Sequence, residues 1–115
     1  MNKTLVISPT YNEAENIQKL IDSILLINDL SLLIIDDNSP DGTADIVLSN
    51  MKKNTNIYLI SREQKLGLGT AYLEGFEWFL DSDYDFCVQM DSDFSHTFKD
   101  LEKLLQYRKT ADLII

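Results

Sequence analysis

Leu30-Ser31-Leu32-Leu33-Ile34-Ile35-Asp36-Asp37 is an almost unbroken apolar run that ends abruptly on two adjacent carboxylates. A strand with one solvated face alternates polar and apolar residues, so a run without alternation marks a parallel strand covered on both sides. The next five residues, Asn38-Ser39-Pro40-Asp41-Gly42, are turn formers. Together they read as a buried strand, an acidic tip and a tight exit.

Working outward, the same unit recurs on both sides. Upstream, residues 3–8 are β-rich and are expected to end as a strand at Pro9, which lacks the donor a ladder needs. Asn12 with Glu15 three residues later has the form of a reciprocal helix cap. Ile17, Leu20, Ile21, Ile24 and Leu25 then recur at helical spacing, predicting a helix over residues 13–27. Downstream, residues 44–53 can form a second helix and residues 57–60 a third strand, followed by a polar loop. Leu68, Ala71, Tyr72, Gly75, Phe76 and Phe79 share one face of a helix over residues 67–80. Phe86-Cys87-Val88-Gln89-Met90 reads as a fourth buried strand that runs into Asp91-Ser92-Asp93. Thr97 with Asp100 caps a helix carrying Leu101, Leu104 and Leu105, and Leu113-Ile114-Ile115 opens a fifth strand.

Strands alternating with helices, without repeat or linker, predict an α/β fold: a mainly parallel sheet with helices on both faces, forming a single unit over residues 1–115. Because the last strand looks unfinished, the unit is expected to be the first half of a larger domain.

Composition narrows the function. Ten basic against nineteen acidic side chains give a net charge of −9, which argues against a nucleic-acid surface, where cationic side chains must neutralise phosphates. An acidic chain that binds a phosphate ligand needs a bridging cation. The single cysteine, Cys87, falls within an apolar strand, as a core thiol in a reducing compartment would. No apolar stretch approaches the roughly 20 residues of a membrane span, and the N-terminus lacks a signal-peptide layout. The expectation is therefore a cytoplasmic protein whose membrane contact, if any, is peripheral.

Three clusters follow apolar strands: Pro9-Thr10-Tyr11-Asn12-Glu13, Asp36-Asp37 and Asp91-Ser92-Asp93. In a parallel sheet all three share the carboxyl edge, where open α/β folds place their ligand. Paired carboxylates suit hard cations such as Mg²⁺ or Mn²⁺, which complete their shell with substrate phosphates. Acceptors such as Asp37 also suit the donor edge of a base or the hydroxyls of a ribose. The first strand-to-helix turn carries no Gly-x-Gly-x-x-Gly, which argues against a dinucleotide cofactor.

Four blocks then carry a resemblance. They are residues 9–17 (PTYNEAENI), residues 36–43 (DDNSPDGT), Arg62-x-x-Lys65-x-Gly67-Leu68-Gly69-Thr70-Ala71-Tyr72, and residues 90–96 (MDSDFSH). In this order they resemble the N-terminal half of a family 2 glycosyltransferase, within the polyprenyl-phosphate (dolichol-phosphate) mannosyltransferase group. The resemblance implies a GT-A (Rossmann-like) fold and inverting, metal-dependent transfer of a sugar from a nucleoside diphosphate, GDP-mannose favoured, to a polyprenyl phosphate. Carried over by position, Pro9, Tyr11, Glu13, Ile35 and Asp37 would contact the nucleoside, Asp37 holding the base. Asp91, Ser92 and Asp93 would line the diphosphate side. Asp91 and Asp93 would be the catalytic pair and the ligands of Mg²⁺ or Mn²⁺, and Lys65 would lie on the donor side. One departure is Phe98, where related sequences usually carry proline.

Two alternatives accompany this reading. One is a family 2 transferase that uses a UDP-sugar and another acceptor. The other, from a different class, is a receiver-like phospho-acceptor module or an inactive nucleotide-binding subunit. A receiver needs a lysine on its last strand, and that strand ends here without one.

Overall fold

One parallel sheet organises the chain. A computed structural model describes residues 3–27, 29–64, 66–90 and 113–114. Its strands are β1 (Thr4–Thr10), β2 (Leu30–Asp36), β3 (Ile57–Ser61), β4 (Phe86–Gln89) and β5 (Leu113–Ile114). They lie in the order β3-β2-β1-β4-β5, and every neighbouring pair is parallel. The helices are α1 (Ile17–Leu25), α2 (Thr43–Met51) and α3 (Leu68–Leu80). The helix expected after Thr97 lies outside the described residues.

The sheet is covered on both faces, as the unbroken apolar runs require. On one face Val6, Leu32, Ile34 and Val88 meet Ile17, Leu20, Ile21 and Ile24 of α1 and Val47 of α2. On the other, Leu5, Ile7, Leu33, Ile35 and Cys87 meet Ala71 of α3, with Tyr72, Phe76 and Phe79 packed against them. Successive strand residues thus feed opposite cores, the period-2 geometry of a strand. Right-handed crossovers explain the helix placement: the chain moves β1 to β2 to β3 with α1 and α2 on one face, then reverses past β1 and must use the other face for α3.

Gly75 allows α3 to lie close to the sheet. A methyl group there would come within 2.6 Å of Ile7 Cγ2 and 2.8 Å of Ile35 Cδ1.

Two local expectations are corrected. β1 does not stop at Pro9 but runs to Thr10, with Pro9 opposite Ile35. Thr10 faces β2, accepting the Asp37 N–H at 3.1 Å, and Ile7 faces β4, accepting the Met90 N–H at 3.0 Å. Residues of a strand alternate in direction, so the donor Pro9 lacks would have pointed toward β4 rather than β2. The β1–β2 ladder therefore continues past Pro9, while the β1–β4 ladder pairs no further than Ile7 with Gln89.

The second correction is that α1 starts at Ile17, not near residue 13, and Asn12 does not cap it. Asn12 instead takes a left-handed conformation, φ 58°. The backbone N–H groups that a helix start would leave open are used elsewhere, as described next.

Candidate functional site

The carboxyl ends of β1 and β2 are built as one unit. Asp36 is buried, and its Oδ1 accepts the hydroxyls of Thr10 and Ser39, each at 2.6 Å, while Oδ2 accepts the Ser39 N–H at 3.0 Å. That fixes the turn after β2 against the tip of β1. Three consecutive N–H groups of the first loop then donate into the second. Asn12 N–H reaches Ser39 Oγ at 2.9 Å, Glu13 N–H reaches Thr43 Oγ1 at 3.0 Å, and Ala14 N–H reaches Asp41 Oδ2 at 3.0 Å.

Asp41 is the anchor of this staple. Its Oδ1 accepts the hydroxyl and, at 3.1 Å, the N–H of Thr43. Desolvation acts to raise its carboxyl, but the Thr43 hydroxyl and the N–H groups of Ala14 and Thr43 outweigh it and hold the group below its ordinary value. The end of β1 with Pro9 and the following loop with Tyr11 and Glu13 are thereby tied to the turn after β2. Tyr11 projects, 38% exposed, and Glu13 is half-buried with Oε2 accepting Asn16 Nδ2 at 3.3 Å.

Asp37 and Arg62 form the second construction. Arg62 leaves the end of β3, its N–H bound to Asp36 O at 2.8 Å. Its guanidinium grips Asp37 with two parallel bonds, Nε to Oδ1 and Nη2 to Oδ2, the latter 2.8 Å. Asp37 Oδ2 also accepts the Leu66 N–H at 3.1 Å. Two further guanidinium donors are used: Nη1 reaches Thr70 Oγ1 at 3.0 Å and Nη2 reaches Gly67 O at 3.1 Å. Gly67 has φ 95°, a conformation L side chains rarely adopt, so glycine lets the chain enter α3 with that carbonyl turned to Arg62.

Both partners are buried. Burial acts to raise the Asp37 carboxyl, and Arg62 with the N–H groups of Leu66 and Gly67 overcomes it, leaving Asp37 ionised. Arg62 is held charged by its bonds to Asp37 against the opposing effect of burial, with the nearby Glu74 carboxylate adding to it.

Of the residues expected from sequence, Pro9, Tyr11, Glu13, Ile35 and Asp37 all lie at or beside this edge. Ile35 is fully buried under α3. Lys65, Asp91, Ser92 and Asp93 lie outside the described residues. Their approach is described as far as Met90, which closes the β1–β4 ladder at the same edge. Arg62 is a residue the sequence reading quoted without giving it a task. The available signal was a cation following an apolar strand in a chain with few of them.

No group of three or more acidic, histidine or cysteine side chains able to hold a metal occurs among the described residues. Within this edge the carboxylates of Asp36, Asp37 and Asp41 each accept from protein donors.

The reversal of strand order between β1 and β4, with helices on both faces, makes this a doubly wound α/β protein of the GT-A class. The chain belongs to glycosyl transferase family 2, whose family model matches residues 5–115. It is 39% identical over 114 residues to the undecaprenyl-phosphate mannosyltransferase of Micrococcus luteus, covering 98% of this chain and 47% of that one. It is also 39% identical over 108 residues to the polyprenol monophosphomannose synthase of Mycolicibacterium smegmatis, covering 90% and 40%. The chain thus spans less than half the length of these relatives.

Among solved structures it is similar to the mannosyltransferase PcManGT from Pyrobaculum calidifontis in complex with GDP-Man and Mn²⁺. That match has a TM-score of 0.70 at 25% identity and covers 79% of this chain and 27% of that one. The same score and identity relate it to TarS of S. aureus, over 93% of this chain and 20% of that one. The receiver-like alternative requires strand order 2-1-3-4-5, which the sheet does not have.

Proposed function

We propose that this chain is the donor-binding half of an inverting, metal-dependent glycosyltransferase that moves mannose from GDP-mannose to a polyprenyl phosphate at the cytoplasmic face of a membrane. The observation that carries the reading is the fusion of the β1 and β2 tips into one rigid edge beside the β1–β4 switch. In open α/β sheets that crevice is where ligands bind. The names of the relatives support the sugar and the acceptor, and the ligands in the PcManGT complex support the donor and a divalent cation.

In this reading Pro9 near the end of β1, Tyr11 and Glu13 in the loop after it, and the side chain of Asp37 receive the nucleoside, with Ile35 backing Asp37 from the core. Asp91 and Asp93 hold Mg²⁺ or Mn²⁺, with Ser92 and Lys65 on the diphosphate side. A bound cation supplies charge that makes the nucleoside diphosphate a better leaving group. The protein's own part is placement: the stapled loops orient the donor. A polyprenyl phosphate already presents an anionic oxygen near neutral pH, so no strong general base is required. No helix among the described residues is long and apolar enough to cross a membrane.

The test is product stereochemistry in the full-length protein supplied with GDP-mannose, Mn²⁺ and a polyprenyl phosphate. A β-linked mannosyl lipid from the α-linked donor is expected, read from the one-bond carbon–proton coupling at the anomeric centre. Retained configuration, or turnover with UDP-glucose in place of GDP-mannose, would sink it.

A further inference from the structure

One edge of the sheet is left open. Among the described residues β3 pairs only with β2. Asn56 O accepts the Leu32 N–H at 2.9 Å and the Arg62 N–H donates to Asp36 O at 2.8 Å, which turns the even-numbered positions of β3 toward β2. Ile57, Leu59 and Ser61 therefore direct their own N–H and C=O groups outward. Ile57 is covered, but Leu59 is half-buried and Ser61 exposed, and the outward groups of these two take no bond among the described residues. Proteins usually guard such an edge with a charge, a proline or a bulge. Residues 54–61 carry neither charge nor proline, and the register with β2 is unbroken.

The helix above this edge is apolar on the same side. α2 packs on both β2 and β3. Its Asn50 turns toward α1, exchanging bonds of 3.0 and 2.8 Å with Gln18. Leu48 lies about 200° round the helix from Asn50, so it faces away from α1 and out over β3, 46% exposed. With Met51, Asp45, Ser49 and Lys52 it lines a groove of about 530 Å³.

We propose that this edge joins two copies of the chain: β3 pairs antiparallel with β3 of a second copy, and α2 packs antiparallel against α2 above the join. Paired strands lie about 4.8 Å apart, so helices seated over each β2–β3 pair would stand roughly 10 Å apart, the distance at which helices pack. A two-fold interface must match itself, and this patch does. Asp45 lies in the first turn of α2 and Lys52 caps its end, so antiparallel helices bring each Asp45 beside the second copy's Lys52, with Leu48 near the axis. The strands add no charge to the join, whereas a net charge of −9 sets the two copies against each other elsewhere. That self-match selects a second copy over an unrelated partner. Antiparallel pairing sends the two carboxyl edges in opposite directions, so both crevices stay open and one at a time faces a given membrane.

The experiment is sedimentation of the full-length protein over a range of concentrations, with variants checked for folding by circular dichroism. A monomer–dimer equilibrium is expected. Asp45→Lys sets like charges opposite each other at both ends of the helix pair and should raise the dissociation constant about tenfold or more. Adding Lys52→Asp restores opposite charges across the axis and should bring the constant back to within about threefold of the wild type. Leu48→Glu should leave the protein monomeric at the concentrations where the wild type pairs.

Amide exchange locates the join independently of any variant: the Leu59 and Ser61 N–H groups should slow as the protein is concentrated into the dimer. A wild type that stays monomeric at every concentration would overturn the proposal. So would a dimer indifferent to both Asp45→Lys and Leu48→Glu, which would place the contact elsewhere, and a folded charge-swapped protein that fails to regain pairing, which would exclude the antiparallel arrangement. None of these readouts depends on a sugar donor or an acceptor.

Discussion

Arg62 and Asp37, 25 residues apart in sequence, meet at the ends of adjacent strands in a two-bond ion pair that is buried on both sides. Breaking such a pair from one side leaves a buried charge uncompensated, which costs about 3–5 kcal/mol. Arg62→Met should therefore lower unfolding stability by that amount in urea titration. Adding Asp37→Asn to it should cost less than the sum of the two single changes, because the second removes the charge the first stranded.

The same pair gives the acid limb of stability a defined sign. The Asp37 carboxyl lies below its ordinary value of 3.8 in the folded protein. Its contribution is complete above the unfolded value and is lost as pH falls through the folded one. Unfolding free energy should thus decline as pH drops below about 4, and Asp37→Asn should flatten that decline at an overall cost in stability.

Thr43→Val keeps the shape of the side chain and removes its hydroxyl. The Glu13 N–H then loses its acceptor and Asp41 loses a donor. A buried unsatisfied donor costs about 1–3 kcal/mol. Amide exchange at Glu13 should accelerate in the variant, and the effect should be confined to the loops of residues 11–16 and 38–43 while the strands stay protected.

Gly75→Ala sets two effects against each other. Alanine favours a helix over glycine by about 1 kcal/mol. The added methyl would sit 2.6 Å from Ile7 Cγ2, a branch fixed to a central strand, and such overpacking costs about 1–3 kcal/mol. The clash should win, and denaturant midpoints should show a net loss where propensity alone predicts a gain.

Asp93→Asn in the full-length enzyme tests the expected cation site. Charge stabilisation by a bound metal is worth several kcal/mol, so its loss should reduce turnover by about a hundredfold or more. Binding of Mn²⁺, followed by electron paramagnetic resonance, should weaken in parallel, and wild-type affinity in the variant would remove Asp93 from the ligand set.

Cys87 should be inert. Its side chain is fully buried beneath α3, and burial pushes the thiol up to about 12. Dithionitrobenzoate at pH 8 should label it only as fast as the protein unfolds.

The division between what was legible and what was not follows the range of the forces involved. Continuous apolar strands, helical spacing on α1 and α3, and acidic residues after strands are local patterns, and each matches the structure to within a few residues. The start of α1 was misread because Asn12 and Glu15 make a good local cap, and what overrides them is Ser39, Thr43 and Asp41 taking the N–H groups of residues 12–14 from about 27–30 positions away. Pro9 was misread as a strand end because its effect depends on which neighbour its missing donor faces.

By itself the sequence determined a parallel sheet covered on both faces, the placing of acidic tips after its strands, and the resemblance to family 2 glycosyltransferases, because burial periodicity and short motifs are written in consecutive residues. Only the tertiary structure decided that the strand order reverses between β1 and β4, and that Asp37 is locked by Arg62. Those depend on the direction each crossover takes and on which distant donors arrive at a carboxylate. Neither is encoded in the spacing of neighbours along the chain.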